Sequence, residues 1–198
     1  MPLKELAKHI NSSDAIDNKE LFEIGKKISQ ERIFDFQMEL SKIEYTLHYL
    51  EDNQKFIDKK GFYKRNIPTR TVIAKEYTGS LSDVRKVEIE SGELYNYAQS
   101  KKFSPVFPAG LIINYKSGKA QTKIFFEIVR KDIDDKNITV IPAGNFQCRQ
   151  TNLTPEVDIQ QLIDNIYGQD KKDEIIISNI LLEKYQIGTK KSELQKRI

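Results

Sequence analysis

Apolar residues between positions 33 and 57 recur at alternating steps of three and four, the spacing of one narrow face of an α-helix. They are Ile33, Phe36, Leu40, Ile43, Leu47, Leu50 and Ile57, with Gln54 interrupting the series. Charged residues fill most of the positions between them. The pattern predicts a helix of about 35 to 40 residues, which at ~1.5 Å per residue is more than ~50 Å long.

A face this narrow needs a partner along its length. The partner is either the globular part of the same chain or a second copy of the chain in a coiled coil. Because a helix of this length would extend past a domain of about 135 residues, we expect a homodimer through residues 33–57. Gly61 is expected to end the helix, which divides the chain into a helical dimerisation arm over 1–60 and a globular domain over 61–198.

Charge and composition agree with an exposed arm. Of the 198 residues, 38% are hydrophobic and 31% are charged, so part of the chain exposes an unusual amount of surface. The net charge is +3, but residues 1–60 carry ten Lys or Arg against twelve Asp or Glu, a net of −2. The arm is therefore a poor surface for phosphate groups, and we expect no contact between it and DNA.

The sequence lacks the patterns typical of a metal site, a membrane-spanning segment or a disulfide. Cys148 is the single cysteine, and His9 and His48 lack nearby ligands at metal-binding spacing, so we expect neither cofactor nor metal. Cys148 is predicted to be a buried, inert thiol. There is no apolar stretch of membrane-spanning length and no signal-peptide pattern, which predicts a cytoplasmic protein with no membrane partner.

Two stretches begin with the same Ile-Pro dipeptide and match in character along their length. They read IPTRTVIAKEYTGS at 67–80 and IPAGNFQCRQTNLT at 141–154, 74 positions apart. Val72, for example, matches Phe146. Each is predicted to be a strand that leads into a helix cap.

The same kinds of segment follow each stretch. After the first, a capping box of Ser80 and Asp83 opens an apolar helical stripe, and GLIINY at 110–115 and KIFFEIV at 123–129 read as strands. The stripe consists of Val84, Val87, Leu94, Tyr95 and Ala98.

After the second stretch, Thr154 is the predicted cap of a helix with Pro155 at its first position, and Gly168 is predicted to end it. Residues 174–185 and 192–198 are the last predicted strands. Each half thus spells strand, helix, strand, strand. We predict an α+β fold: a duplicated β-α-β-β domain with a concave antiparallel sheet of about eight strands and both helices on one face.

Alternation along the next-to-last strand suggests a site, because neighbouring strand residues point to opposite faces. Asn179, Leu181 and Glu183 share one face. If the helices cover the other face, these residues line the concave side, where polar groups among apolar walls suit a small molecule. The alternative is that this side of the sheet is simply solvated.

The order of these features resembles the drug-sensing branch of the MerR-type transcription activators, with a gyrase-inhibitor-like effector-binding domain. MPLKELAKHI resembles the helix that closes their DNA-binding domain, and IPAG and SELQKRI resemble two stretches of the effector domain. The resemblance implies an antiparallel coiled-coil dimer and a small-molecule effector in a domain over residues 62–198. It also implies that DNA is contacted only through a helix-turn-helix domain that this chain lacks.

The resemblance further implies site residues. Multidrug-sensing relatives place a buried Glu on the next-to-last strand, where it pairs with lipophilic cations; Ser178 and Asn179 occupy that place here, and Glu183 or Glu127 is a possible substitute. Asn179 lacks the charge, so a preference for cations does not follow. The other positions that match family pockets are Phe107, Ala109, Ile112, Asn114 and Leu153.

Three functions are therefore open. The expected one is the dimerisation and effector-binding part of a MerR-like regulator, which is not an enzyme. The alternatives are a stand-alone gyrase-inhibitor-like protein that binds a small molecule or a partner, and a hydrolase on the same fold. An acid and a base within reach of one point would favour the hydrolase.

Overall fold

The structure is a computed structural model that describes residues 15–116, 119–130, 134–153, 157–168, 174–180 and 191–198, without the side chains of 15–18, 107, 116, 119, 179 and 180. Three helices and eight strands occur in these ranges. In chain order they are α1 (Ala15–Gln54), β1 (Phe62–Ile67), β2 (Arg70–Tyr77), α2 (Val84–Ser100), β3 (Pro105–Lys116), β4 (Lys119–Ile128), β5 (Ile138–Ile141), β6 (Gly144–Thr151), α3 (Ile159–Tyr167), β7 (Glu174–Ile180) and β8 (Ser192–Arg197).

The long helix is confirmed, with 40 residues in α1. Its predicted apolar seam is 54 to 73% exposed at five side chains, Ile33, Phe36, Leu40, Ile43 and Leu47. The predicted end of the helix is wrong: α1 ends at Gln54, so Ile57 lies in the turn that follows and Gly61 does not end the helix. The chain divides into two compact units, one that ends at Ser41 and one that begins at Lys42 and holds the last turns of α1 with the sheet.

All eight strands form one antiparallel sheet in the order β1-β6-β8-β7-β3-β4-β2-β5. If each strand of β1–β4 is replaced by its counterpart in β5–β8, and the reverse, the same order results when the sheet is read from its other edge. The predicted strand-helix-strand-strand order of each half is confirmed, and each half has one additional strand, β1 or β5, before it. The α+β fold is therefore a duplication at the level of strand pairing.

The two Ile-Pro dipeptides lie at equivalent points of this duplication. Ile67 pairs with Gly144, and the equivalent residue of the second half, Ile141, pairs with Arg70. Between these pairs the ladders are interrupted, because proline has no N–H to donate to a neighbouring strand. The Ala143 amide instead donates a hydrogen bond to Thr69 Oγ1 at 3.2 Å.

Both short helices begin at an aspartate. The side chains of Asp83 and Asp158 accept hydrogen bonds at 3.0 Å from the third residue of α2 and of α3, which is an N-cap interaction. The predicted cap at Ser80 is therefore wrong, since Asp83 alone takes that role. The helix predicted to begin at Thr154 begins at Ile159, and residues 154–156 lie outside the described residues. Gly168 ends α3 at φ +62°, as predicted.

Each face of the sheet carries its own apolar cluster. On one face, α2 and α3 cover strand residues such as Ile73, Leu111 and Ile177. The opposite face, called here the far face, buries a smaller cluster: Ile67, Val72, Ala74, Ile112, Phe125, Ile141, Phe146, Cys148 and Ile176. Because side chains alternate, polar residues in the same register as this cluster also lie on the far face.

Candidate functional site

A cavity of about 120 Å³ lies on the far face, entirely within the unit that begins at Lys42. One wall is the last turns of α1, which contribute Tyr45, His48, Tyr49, Asp52 and Asn53. The last four of these residues lie three, four, seven and eight positions after Tyr45, so all five project from one side of the helix. The other walls come from β1, β2, β4, β7, β8 and the Pro68–Thr69 connection.

A buried ion pair forms the floor of the cavity. The side chains of Arg70 and Glu127 are 7% and 15% exposed, and Arg70 Nη1 lies 3.7 Å from Glu127 Oε1. The Tyr45 hydroxyl donates a hydrogen bond to Glu127 Oε2, and Arg70 Nη2 donates to Gln195 Oε1 at 2.9 Å. Arg70 Nε is buried and has no hydrogen-bond partner within the described ranges.

A second charged cluster lies beside it. Arg65 Nη1 donates to both carboxylate oxygens of Glu193 at 3.0 Å, and Arg65 Nη2 donates to Asp52 on α1. Glu193 also accepts hydrogen bonds from the Tyr63 hydroxyl at 2.5 Å and from Gln195 Nε2 at 2.7 Å. The Glu193 carboxylate is therefore paired with Arg65 and accepts hydrogen bonds from two further side chains.

These contacts form a continuous polar network that starts and ends on α1. Its members in order are Asp52, Arg65, Glu193, Gln195, Arg70, Glu127 and Tyr45. The two ends are about two helical turns apart. The network therefore fastens the last turns of α1 to the sheet at two points, and the cavity lies between them.

The surroundings shift the pKa values of Glu127, Tyr45 and Asp52. Burial raises the pKa of Glu127 above its ordinary 4.5, although the charge of Arg70 and the Tyr45 hydrogen bond oppose the rise. Burial and then the nearby Glu127 charge raise the pKa of Tyr45, so its hydroxyl keeps the proton it donates. Burial works in the same direction on Asp52, but the hydrogen bond and charge of Arg65 prevail and lower its pKa.

The structure activates neither Ser178 nor Cys148 as a nucleophile. Ser178 Oγ accepts from Gln195 Nε2 at 3.2 Å and donates to the Glu193 carbonyl at 3.5 Å, so neither neighbour acts as its base. Cys148 is completely buried, and that burial raises its thiol pKa, in line with the predicted inert thiol. In the described ranges, no three His, Cys, Asp or Glu side chains are grouped to hold a metal.

The residues predicted from sequence fall in several places. Leu181 and Glu183 lie outside the described residues, and only the backbone of Asn179 and Phe107 is described. Ala109 belongs to the core under the helices, and Leu153 packs against that core. Ile112 is in the apolar cluster of the far face. Glu127, named as a substitute for the family's glutamate, lies in the cavity.

Asn114 lines a different depression, a polar groove of about 570 Å³ at the ends of β2, β3 and β4. Its walls include Tyr77, Gln121, Thr122 and Gln160. The groove contains one acid, Glu76, and one base, Lys123, and neither is buried. It has no counterpart of the buried ion pair.

Sequence reasoning missed most of the cavity residues. Tyr45 and Tyr49 lie between the apolar seam positions of the predicted arm, and the spacing of the seam does not mark them. Arg70 is two positions from buried Val72 in β2, so the two side chains face the same side of the sheet. Gln195 is adjacent to Leu194 in β8 and faces the opposite side from it, but which of the two faces remains open depends on where the helices pack.

Comparisons with known proteins find similar structures at low sequence identity. EcmrR, solved in a complex with DNA, is 16% identical over 98% of this chain and 75% of its own, with a TM-score of 0.49. SAV2435 bound to tetraphenylphosphonium is 11% identical over 69% and 93%, with a TM-score of 0.44. A hydrolase from Listeria innocua is 12% identical over 75% and 98%, with a TM-score of 0.41.

The sequence itself matches no protein-family model and no curated protein. With TM-scores below 0.5, the structural likenesses establish neither a family nor an activity for this chain. In the part of the chain that the structure describes, no helix has the length and apolarity needed to cross a bilayer.

Proposed function

We propose that this chain is the dimerisation and effector-binding part of a MerR-like transcription regulator, and that a small molecule binds in the cavity at Arg70 and Glu127. The observation that supports the proposal is that the same helix, α1, lines the cavity and carries the apolar seam. α1 supplies a wall of the cavity through Tyr45 and Tyr49, and it carries the exposed apolar seam.

The cavity has the composition of a small-molecule site, in which apolar and aromatic walls surround a few fixed polar groups. Tyr45, Tyr49, Ile67 and Pro68 supply the walls. The polar groups are held in place by the network before any ligand arrives, which reduces the entropy lost on binding.

The seam has the composition of a coiled-coil face. Five large apolar side chains, spaced by three and four residues and each more than half exposed, form a patch that calls for a partner surface. A second copy of the chain presents the same spacing and therefore fits it.

Binding in the cavity would regulate the protein through α1. A ligand that binds one arrangement of the paired helices more tightly than another shifts the population between them. The proposal places this sensor in the cytosol and leaves contact with DNA to a separate helix-turn-helix domain.

A small-molecule screen tests the proposal. Compounds are ranked by the thermal shift they give to the wild-type protein and to Ser178→Leu, which narrows the cavity. Ser80→Leu, in the polar groove, is the matched control. We expect a set of compounds that stabilise the wild type and Ser80→Leu but not Ser178→Leu, and that change the distance between spin labels on the paired helices.

Two results would count against it. If no compound loses its effect in Ser178→Leu, the cavity is not the binding site. If the compounds bind a protein that stays monomeric at micromolar concentration, the stand-alone binding protein is the better interpretation.

A further inference from the structure

The size of the cavity limits what it holds without rearrangement. At about 120 Å³ it is slightly smaller than cavities of about 150 Å³ that take up one benzene. One ring is therefore the upper limit of what the cavity takes up. A cation built from several rings does not fit unless the last turns of α1 leave the sheet.

The charges in the cavity are already matched within the protein. Arg70 faces Glu127, and Arg65 is shared between Asp52 and Glu193. A ligand cation at Glu127 would lie against the Arg70 guanidinium, and an anion at Arg70 would lie against the Glu127 carboxylate. Either ion would lose its hydration and gain an adjacent like charge, which is unfavourable at a buried site.

The hydrogen-bonding capacity of the pair is not exhausted. Arg70 Nε has no partner within the described residues, and an unsatisfied buried donor is costly. The 3.7 Å between Arg70 Nη1 and Glu127 Oε1 exceeds an ordinary hydrogen bond, so this oxygen can still accept one. The Arg70 guanidinium and the Glu127 carboxylate, which both line the cavity, therefore keep unused hydrogen-bonding capacity.

From these three observations we infer that the ligand is an uncharged, single-ring compound that carries a hydrogen-bond acceptor and a donor on neighbouring atoms, as a carboxamide or a lactam does. Its oxygen accepts from the Arg70 guanidinium, its N–H donates to Glu127 Oε1, and its ring lies among Tyr45, Tyr49 and Ile67. The inference rests on the proposed function, since it specifies the ligand of the same cavity.

Three probes of nearly equal size test it on the wild-type protein: benzamide, benzoate and benzylammonium. Binding is measured by chemical-shift titration at about pH 8, well above the ordinary pKa of a carboxyl group. We expect benzamide to bind at least tenfold more tightly than either ion, with shifts at Tyr45 and Tyr49. Tightest binding by benzylammonium or benzoate overturns the inference.

Two variants reverse the expected order. Glu127→Gln leaves Arg70 without its counter-charge, so benzoate should become the tightest probe. Arg70→Met leaves Glu127 without its counter-charge, so benzylammonium should become the tightest. If both variants still prefer benzamide, the ion pair does not select the ligand. Should either variant fail to fold, the ranking on the wild type decides alone.

The outcomes separate this inference from the proposed function. If none of the three probes binds, but screened compounds still depend on Ser178, the ligand class is wrong and the cavity remains the effector site. If no compound of any kind depends on Ser178, the proposed function fails as well. If the probes bind in the expected order but the protein is a monomer, the inferred ligand class stands and the proposed regulator function is wrong.

Discussion

Gly110 is a residue at which the packing of the sheet admits no side chain. It lies in β3 next to a register irregularity, with the Phe125 ring of the neighbouring strand across its Cα. A Cβ added there would meet that ring and would lie 2.8 Å from the Ile177 carbonyl oxygen of β7. The oxygen belongs to backbone, so it yields less easily than a flexible side chain.

We therefore expect Gly110→Ala to lower the free energy of unfolding by about 1–3 kcal/mol, measured by urea denaturation. Gly92→Ala, in the middle of α2, is the matched control because a Cβ there has open space around it. That change should raise stability by about 0.5–1 kcal/mol, since alanine favours helix over glycine. Equal effects of the two substitutions would contradict the steric argument.

Glu127 should make stability depend on pH in a defined direction. Burial raises its pKa in the folded protein above the ordinary 4.5, so between these two values the folded state holds more protons than the unfolded state. Stability then falls as pH rises through that window. The charges that face Glu127 are those of Arg70 and Arg65, with the Tyr45 hydroxyl as its hydrogen-bond donor.

We expect Glu127→Gln to remove this loss, so that the variant gains stability relative to the wild type as pH increases. Urea midpoints at about pH 5 and about pH 7.5 measure it. Glu76→Gln, the same change at an exposed carboxylate of β2, is the control. If the urea midpoints of the wild type and of Glu127→Gln change with pH in parallel, burial does not raise the pKa of Glu127.

At the residue level, prediction from sequence was partial. Glu127 was named because a family glutamate was missing, and it lies in the cavity. Asn179, the first choice from strand alternation, stays a prediction because its side chain lies outside the described residues. Arg70 and Gln195 escaped notice because alternation sorts residues into two faces without telling which face is covered by helices.

Among the elements, the end of α1 depends most on contacts from outside the helix. Phe56, just past the helix, stacks on Tyr63 at 5.2 Å between ring centres, and the Arg65 guanidinium lies 5.0 Å from the Phe56 ring centre. Lys191 Nζ donates to the Ile57 carbonyl at 2.7 Å. These contacts explain why the helix ends at Gln54, while its apolar spacing alone predicted continuation to Ile57.

Asp52→Ala should loosen this end. It removes the bond to Arg65 on a side chain that is 31% exposed, so we expect a loss of about 1 kcal/mol and faster hydrogen exchange of the amides at 50–54. Glu51→Ala, an exposed neighbour, is the control and should change stability by less than about 0.5 kcal/mol. Because Arg65 lowers the pKa of Asp52, its contribution is present above about pH 4 and lost only as pH falls further. Equal exchange rates in both variants would contradict a role for the network.

Helices and inner strands were predictable because they bury a periodic face, whereas β1 and β5 were not. β1 reads FYKRNI and is exposed or half-buried except at Ile67, and β5 has only four residues. Their pairing comes from the opposite half of the duplication, across the Ile-Pro segments. The local sequence of a strand does not indicate which distant strand it pairs with. The repeated Ile-Pro dipeptide nevertheless lies where these pairings begin.

At the scale of the whole molecule, the seam on α1 leads to a prediction about assembly. Leu40 lies at its centre and is 56% exposed in the single chain. In a monomer, Leu40→Glu would therefore cost little, because surface substitutions usually change stability by less than about 0.5 kcal/mol. In a coiled coil the same glutamate would be buried against the partner helix, where an unpaired charge is expensive.

We therefore expect sedimentation velocity at micromolar concentration to show a dimer for the wild type and a monomer for Leu40→Glu, with the cooperative unfolding of the sheet retained. Ser41→Glu adds the same charge one position along the helix, outside the seam, and should remain dimeric. Comparing the two separates loss of the interface from a general effect of charge on α1. If the wild type sediments as a monomer, or if both variants dissociate, the exposed seam does not bind a second copy. The cavity would then belong to a protein that captures its ligand alone.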